Sequence, residues 1–553
     1  NGVDGLLEND KYGNLVPSIA KDWTVSADGL TYTYKLRKGV KWYTSDGEEY
    51  AEVTAKDFVT GLKHAADKKT ESIYLAKDSV VGLADYFNGT DKDFSKVGVK
   101  ALDDYTLQYT LKQPEPYWNS KMTYSLFWPV NEEFLKSKGD SFGKSTDPSS
   151  ILYNGPYILK SLTAKSSIEL AKNENYWDKN FDGVKLSFYD ASDQESLVRN
   201  FTDGAYSQAR LYPTSSNFDS VEKQYKDNIF YTQPSADVLG AGVNIDRQSY
   251  NHTSKKTDAE KDSTKKALLN KDFRQSVNFA IDRTAYSAQL NGEKGAALAI
   301  RNLLVKPDFV YAGDKSFGDL VTEKMASYGD EWSGVNFKDS QDGIFNADKA
   351  KAEFNKAKEA LQGEGVQFPI HLDLPVDQAA KPTVARAQSL KQSVEKTLGK
   401  ENVVVDVHQM SQDDLLNSTL YAANAAAEDW DINISVAWAP DYEDPSTFLD
   451  IFKTTASENT KTYMGFDDPN NAAAAQVGLK DYDALLDSAA SETTDLNTRY
   501  DRYAQAQAWL EDSSLIIPLT VGNGAAPVIS RLTPFTGAYS QVGDKNSADY
   551  FKY

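Results

Sequence analysis

An α/β protein of several lobes is the fold class this sequence predicts, and three observations predict it. Residues 366–440 alternate strand and helix patterns, two segments within the first 130 residues alternate apolar and polar residues with period 2, and 553 residues exceed what one hydrophobic core usually covers.

The elements follow in chain order. "LTYTYKLRKGVKWY" sets Leu30, Tyr32, Tyr34 and Leu36 against Thr31, Thr33, Lys35 and Arg37, the pattern of a half-buried strand, and "DDYTLQYTLKQP" repeats it with Tyr105, Leu107, Tyr109 and Leu111. Between them "TAKDFVTGLKHAAD" opens a helix, with Thr54 as N-cap and Asp57 three residues on, ahead of Phe58, Val59 and Leu62. A Gly-Pro turn at 155–156 starts a second sheet region that runs to residue 178. Asn251 to Lys266 holds almost no apolar residue and is expected to be a solvated surface loop. Then "VQFPIHLDLPV", "KPTVARAQSLKQSVEKTLG", "NVVVDVHQM", "SQDDLLNSTLYAANAAA" and "WDINISVAW" read as strand, helix, strand, helix, strand. Val384, Ala387, Leu390, Val394 and Leu398 recur at helical spacing up to Gly399, and Ser411 with Asp414 marks the start of the second helix. This order predicts a doubly wound parallel unit, in which ligands sit outside the carboxyl ends of the strands.

Those ends are 375–378, which include Asp377 and Gln378, 409–412, which include Gln412, and "WAPDYEDP" at 438–445. At the last of them an apolar strand runs straight into Asp441, Glu443 and Asp444. Asp444, followed by Pro445 and "STFLDIF", reads as a helix N-cap with Pro at N1. Glu443 reads as a first-turn charge or an exposed one. Asp441 stands at the strand exit, before the helix can use it, where a carboxylate can hold a cation in a partly dry site; the competing reading is a loop acid bonded to nearby amides.

Composition removes several function classes. A net charge of −21 argues against a nucleic-acid partner. With no Cys there is no disulfide, thiol nucleophile or thiolate zinc site, and His64, His252, His371 and His408 have no partner at i+3 or i+4, so neither a metal nor another cofactor is expected. No apolar run approaches the roughly 20 residues of a membrane span, and residue 1 opens without Met or a signal-peptide pattern, as though the chain were trimmed. "FGKST" at 142–146 fails as a phosphate loop because Lys138 stands where Gly is required, and "GNGAAP" at 522–527 has Pro527 in place of the third glycine of a dinucleotide fingerprint. G-x-S-x-G and H-E-x-x-H are absent and no catalytic residue is expected, although acid pairs and aromatics keep a glycan-cleaving enzyme open as an alternative.

A resemblance covers the chain from residue 4 to its tail. "DGLLENDKYGNLVPSIAKDWTVSADGLTYTYKLRKGVKW", "SDGEEYAEVTAKDFVTGLKHAAD", "NGPYIL", "NENYWD", "LNKDFRQSVNFAIDR" and "DYEDPSTFL", in that order, resemble the oligopeptide-binding proteins that feed peptide ABC transporters, within the extracellular solute-binding proteins of family 5 and close to the Ami/Ali lipoprotein group of streptococci. The resemblance implies a two-lobed, periplasmic-binding-protein-like fold (type II, cluster C) that closes like a Venus flytrap, with an additional subdomain in the first lobe. It divides the chain into 1–130, the mostly β subdomain of lobe I; 131–235, the central part of lobe I; 236–515, a doubly wound α/β lobe II; and 516–553, the return to lobe I. The implied partners are oligopeptides and the ABC permease subunits. The implied location is the outer face of the cytoplasmic membrane of a Gram-positive bacterium, as a monomer held by an N-terminal lipid anchor upstream of residue 1.

Residue by residue, the resemblance puts the grip on the peptide α-ammonium at Asp441. It sets Ala437, Trp438 and Tyr442 along the peptide main chain and its pockets, with Asp377 and Gln378 beside them. Gln412 falls where the family has a pocket aromatic, and Arg210 where it has a neutral amide. Ser435 replaces an Arg that in some relatives meets the peptide carboxylate, which makes longer peptides the expected ligands. The same fold carrying an oligosaccharide, a nickel complex or haem is the alternative.

Overall fold

The computed structural model describes residues 2–178, 183–187, 193–522, 524–536 and 541–543. The period-2 segments become neighbours in one antiparallel sheet, in the order Ala20–Val25, Thr31–Leu36, Thr106–Thr110, Val99–Asp103. Tyr32 lies opposite Tyr109 and Tyr34 opposite Leu107, so the apolar face of each strand meets that of the next. All four are buried, and Trp118 is wholly enclosed among Tyr32, Tyr109 and Phe127. The helix Ala55–Lys68 covers this sheet with Phe58, Leu62, Ala65 and Ala66. Its start is fixed by Asp57, whose Oδ2 accepts from the Thr54 N–H at 2.9 Å and from Trp42 Nε1 at 3.1 Å. Burial pushes the Asp57 carboxyl up to about 6 in spite of both bonds.

The second sheet region is an antiparallel sheet of Tyr157–Thr163, Ser167–Lys172 and Gly183–Ser187. Beyond it a small core packs Leu197, Phe201, Leu211, Phe218 and Val221 against Ile529. Its sheet runs Gln208–Arg210, Pro527–Ser530, Ile229–Tyr231, so the C-terminal strand lies in the middle. The chain therefore passes twice between this core and the largest one, near residues 232–237 and 524–526. The two passages are laced together, the Thr232 N–H donating to Ala526 O at 3.0 Å and the Ala525 N–H to Thr232 O at 3.1 Å. Arg301, fully buried, pins the first passage: Nη1 donates to Ala236 O and Nη2 to Ser235 O, each at 3.0 Å, while Nε pairs with Asp339 at 2.9 Å.

The largest core draws on residues from Ala236 to Leu519 and on Val542. Here the expected parallel unit is realised in part. Ile370–Asp377 and Val403–Met410 are parallel neighbours in full register, joined by the helix Lys381–Leu398 that ends at Gly399. The third strand, Ile432–Trp438, does not extend that ladder. It pairs antiparallel with Val238–Val243, which pairs antiparallel with Ile516–Val521. The two sheets meet where the Asp431 N–H donates to Asp373 O at 3.0 Å. The doubly wound expectation is corrected accordingly: apolar alternation marks which face is buried but not which strand lies alongside. The helix between the second and third strands also stops early, at Gln412–Ser418, where Thr419 turns its hydroxyl back onto Leu415 O at 2.7 Å.

Gly242 sits in the central strand of the antiparallel sheet because a Cβ there would lie 2.2 Å from Tyr463 O. Gly242→Ala is expected to cost about 1–3 kcal/mol of stability, read as a lower urea midpoint.

The segment 251–266 is the second correction. It is not a solvated loop: Asp258–Leu269 is a helix, capped by Thr257 and Glu260, and Ser263, Thr264 and the Lys255 ammonium are buried. Lys255 and Arg247 enter a cluster of three aspartates beneath the parallel strands. Arg247 Nη1 lies 2.7 Å from Asp373 and 2.9 Å from Asp431, and its Nη2 lies 2.7 Å from Asp429. Lys255 pairs with Asp373 at 2.7 Å and with Asp431, and His408 Nε2 stands 2.7 Å from Asp373. Burial alone would raise the Asp373 carboxyl, but the His408 bond and the Lys255 and Arg247 charges overcome it and hold the group well below the usual carboxylate range.

Candidate functional site

The three acids of 441–444 are sorted by their partners. Asp444 is fully buried and closed by a bidentate pair with Arg499, Nε to Oδ2 at 2.7 Å and Nη2 to Oδ1 at 2.9 Å. It also accepts from the Ser446 N–H at 3.1 Å, but the helix is the single turn Ser446–Leu449 with Pro445 at its N-cap, so Asp444 stands one position before the cap the sequence reading gave it, and its main partner is the Arg499 guanidinium. Glu443 is exposed, its backbone N–H held by Ser120 Oγ at 3.0 Å.

Asp441 follows the strand Ile432–Trp438, where the backbone leaves the sheet, and its N–H donates to Thr447 Oγ1 at 2.8 Å. Its Oδ1 accepts from the Tyr74 hydroxyl, also at 2.8 Å, and among the described residues it forms no ion pair. Burial raises the Asp441 carboxyl above its ordinary value, while the Tyr74 bond and the nearby Lys121 charge pull it back. Tyr74 is itself 53% exposed.

Lys121 is the near cation, and it is already spent. Its side chain is 4% exposed, and its ammonium donates to Glu115 at 2.8 Å and to Leu75 O and Ser79 Oγ at 3.1 Å each. An ammonium has three N–H groups, so none remains for Asp441. The site is thus a half-buried carboxylate with neutral donors on it and the neighbouring positive charge locked elsewhere. Chemically it suits an incoming ammonium.

The residues that face Asp441 come from the first core. Tyr117 stacks on Tyr442 with ring centroids 4.3 Å apart and planes 16° from parallel, and the Tyr124 hydroxyl donates to Pro440 O at 3.3 Å. Asp441 and Tyr442 therefore lie at the junction of the first and largest cores. Ala437 and Trp438 lie on the strand leading to them. Ala437 is exposed and its carbonyl accepts from the Tyr463 hydroxyl at 3.2 Å, and the buried Trp438 Nε1 has no hydrogen-bond partner among the described residues.

The remaining expected residues have local partners of their own. Asp377 accepts from the Ala379 N–H at 2.8 Å in a local turn, and Gln378 is exposed with its N–H on Met410 O at 2.9 Å. Gln412 is an exposed first residue of its helix. Arg210 ends the strand Gln208–Arg210, exposed over the Tyr212 ring. Among the described residues no hydrogen bond, ion pair or ring contact joins Arg210 or Gln412 to Asp441. Sequence reasoning missed Tyr74, Tyr117, Lys121, Tyr124 and Arg499. The one available signal was the aromatic density of "YWNSKMTYSLFW" at 117–128.

Comparison with known proteins bears on the family and the fold. The model of the bacterial extracellular solute-binding proteins, family 5 Middle, matches residues 14–460. The chain is similar to oligopeptide-binding protein AmiA of Streptococcus pneumoniae serotype 4, at 69% identity over 556 residues, 100% of this chain and 84% of that protein. It is 62% identical over 548 residues to oligopeptide-binding protein SarA of Streptococcus gordonii, covering 99% of this chain and 82% of that one. Among solved structures, the substrate-binding domain of an oligopeptide ABC transporter from Bacillus anthracis superposes with a TM-score of 0.68 at 24% identity, over 100% of this chain and 93% of that chain. Listeria monocytogenes OppA bound to peptide gives 0.67 at 23%, with the same coverage. At those identities the likeness speaks for the fold.

Proposed function

This chain belongs to the bacterial extracellular solute-binding proteins of family 5, and on that premise we propose that it captures oligopeptides between its two lobes and hands them to an ABC permease. The fold is the two-lobed α/β fold of that family. The observation that carries the finer reading is Asp441: a half-buried carboxylate, raised by burial, forming no ion pair among the described residues, at the junction of two cores. A peptide α-ammonium would neutralise it, taking Oδ2 while Tyr74 keeps Oδ1. The peptide main chain would then run along Ala437 and Trp438, adding hydrogen bonds that ignore side-chain identity.

In this reading lobe I comprises residues 2–235 and 524–536 and lobe II residues 236–522; the return to lobe I, expected at 516, comes later because Ile516–Val521 pairs with Val238–Val243, and the laced passages at 232 and 526 are the joint on which the lobes close. The protein acts as a binder and not as an enzyme, outside the cell, as a monomer tethered by a lipid upstream of residue 1. Calorimetry with a free-amine oligopeptide and its N-acetylated twin tests it. The free peptide is expected to bind and acetylation to weaken it by about tenfold or more. Equal affinities would remove Asp441 from the role. Glycan binding without peptide binding would overturn the cargo.

A further inference from the structure

Residues 440–443 are gripped one by one from across the junction of the first and largest cores. Pro440 O accepts from the Tyr124 hydroxyl at 3.3 Å, Asp441 Oδ1 accepts from the Tyr74 hydroxyl at 2.8 Å, and the Glu443 N–H donates to Ser120 Oγ at 3.0 Å. Ser120 is buried and commits its own O–H to Tyr117 O at 2.7 Å, so toward Glu443 it can only accept. The fourth residue, Tyr442, lies against the Tyr117 ring, and the Lys121 ammonium stands 4.9 Å from its ring centroid. A cation over a ring needs no N–H, so the hydrogen bonds that occupy Lys121 leave this attraction intact.

Four of the five gripping side chains come from the segment 117–124, which the enclosed Trp118 anchors in the first core. Tyr117 reaches furthest. It stacks on Tyr442 and also lies 5.7 Å from the Arg499 guanidinium, whose pair with Asp444 closes the loop from behind. On its own side the loop is held by the Asp441 N–H on Thr447 Oγ1, the Asp444 N–H on Tyr442 O at 2.9 Å and a long 3.4 Å contact between the Ser446 and Tyr442 hydroxyls. The loop that carries Asp441 is thus held as much by the opposite core as by its own, and it is fully placed only when the two cores meet.

We propose that the segment 117–124 is a clasp that fixes the 440–443 loop and holds the two cores together, with Tyr117 as its main positioning residue. Its effect on ligand rests on the peptide-capture reading; the clasp itself does not. The chain has no cysteine, so Lys56→Cys and Lys480→Cys, both exposed on the helices Ala55–Lys68 and Leu479–Ala490, place one spin label on each core. Pulsed electron resonance is expected to give one separation for the parent and for Tyr117→Phe, and a second, longer one for Tyr117→Ala. Identical distributions in all three would overturn the clasp. Tyr117→Ala is also expected to release a bound oligopeptide about three- to tenfold faster, whereas Tyr117→Phe, which keeps the stacked ring, should stay within about twofold of the parent. Unchanged release from Tyr117→Ala, or an equal loss in Tyr117→Phe, would count against it as decisively. Should Tyr117→Ala fail to fold, Ser120→Ala, which frees the Glu443 N–H, decides by the same two measurements. A parent that binds no peptide would end the capture reading and leave the label separations to decide the clasp.

Discussion

Arg247→Met is expected to destabilise the largest core by about 3–5 kcal/mol, the usual penalty for breaking a buried ion pair from one side. The methionine keeps the apolar stem but leaves Lys255 as the one fixed cation against Asp373, Asp429 and Asp431. Asp373 is fully buried and cannot turn to water. The sign with pH follows from its depressed pKa. Stability from a depressed carboxylate is fully present above the unfolded value near 3.8 and is lost as pH falls through the folded one. The penalty should therefore be largest near neutrality and shrink in acid. Urea unfolding of both proteins at pH 7 and at about pH 2.5, below the unfolded carboxylate value, measures it, and a difference below about 1 kcal/mol at pH 7 would mean that the cluster relaxes or hydrates.

Asp441→Asn is expected to cost about 2–3 kcal/mol of peptide affinity, roughly 30- to 150-fold in Kd, because the ammonium loses its counter-charge and keeps its desolvation cost. Asn can still accept the Tyr74 hydroxyl, so the local geometry should survive. The unliganded variant should be no less stable than the parent. A carboxyl whose folded pKa is raised binds its proton more tightly when folded, so its ionised form detracts from stability at neutral pH, and Asn removes that. For the parent, peptide affinity should fall as pH drops through the raised Asp441 value, and the Asn variant should lack that dependence. Calorimetry across pH tests both; a variant that binds as tightly as the parent would exclude the assignment.

What the sequence disclosed and what it hid follow from the kind of force involved. The strands around Tyr32 and Tyr109 and the helix after Thr54 were legible because apolar alternation and caps act over a few residues. The antiparallel partner of Ile432–Trp438 was not, because it lies nearly two hundred residues earlier, at Val238–Val243, and no local pattern names it. Lys255 was lost in a segment judged by its lack of apolar residues, whereas burial there is achieved by charge pairing. Asp441 stood out because a carboxylate at a strand exit has no structural duty to explain it. Its neighbours Tyr74, Tyr117 and Lys121 are ordinary residues in sequence and acquire meaning only when the two cores meet.

Placing Pro527–Ser530 between Gln208–Arg210 and Ile229–Tyr231 has a consequence for biogenesis. The flanking strands leave the ribosome roughly 300 residues before the one that joins them, which at 5–20 residues per second is about 15–60 s of translation. For that interval both present open edges to any other nascent segment. A chaperone or a slow-to-aggregate neighbourhood must guard them until the last stretch emerges, and a prematurely terminated polypeptide would keep them open for good.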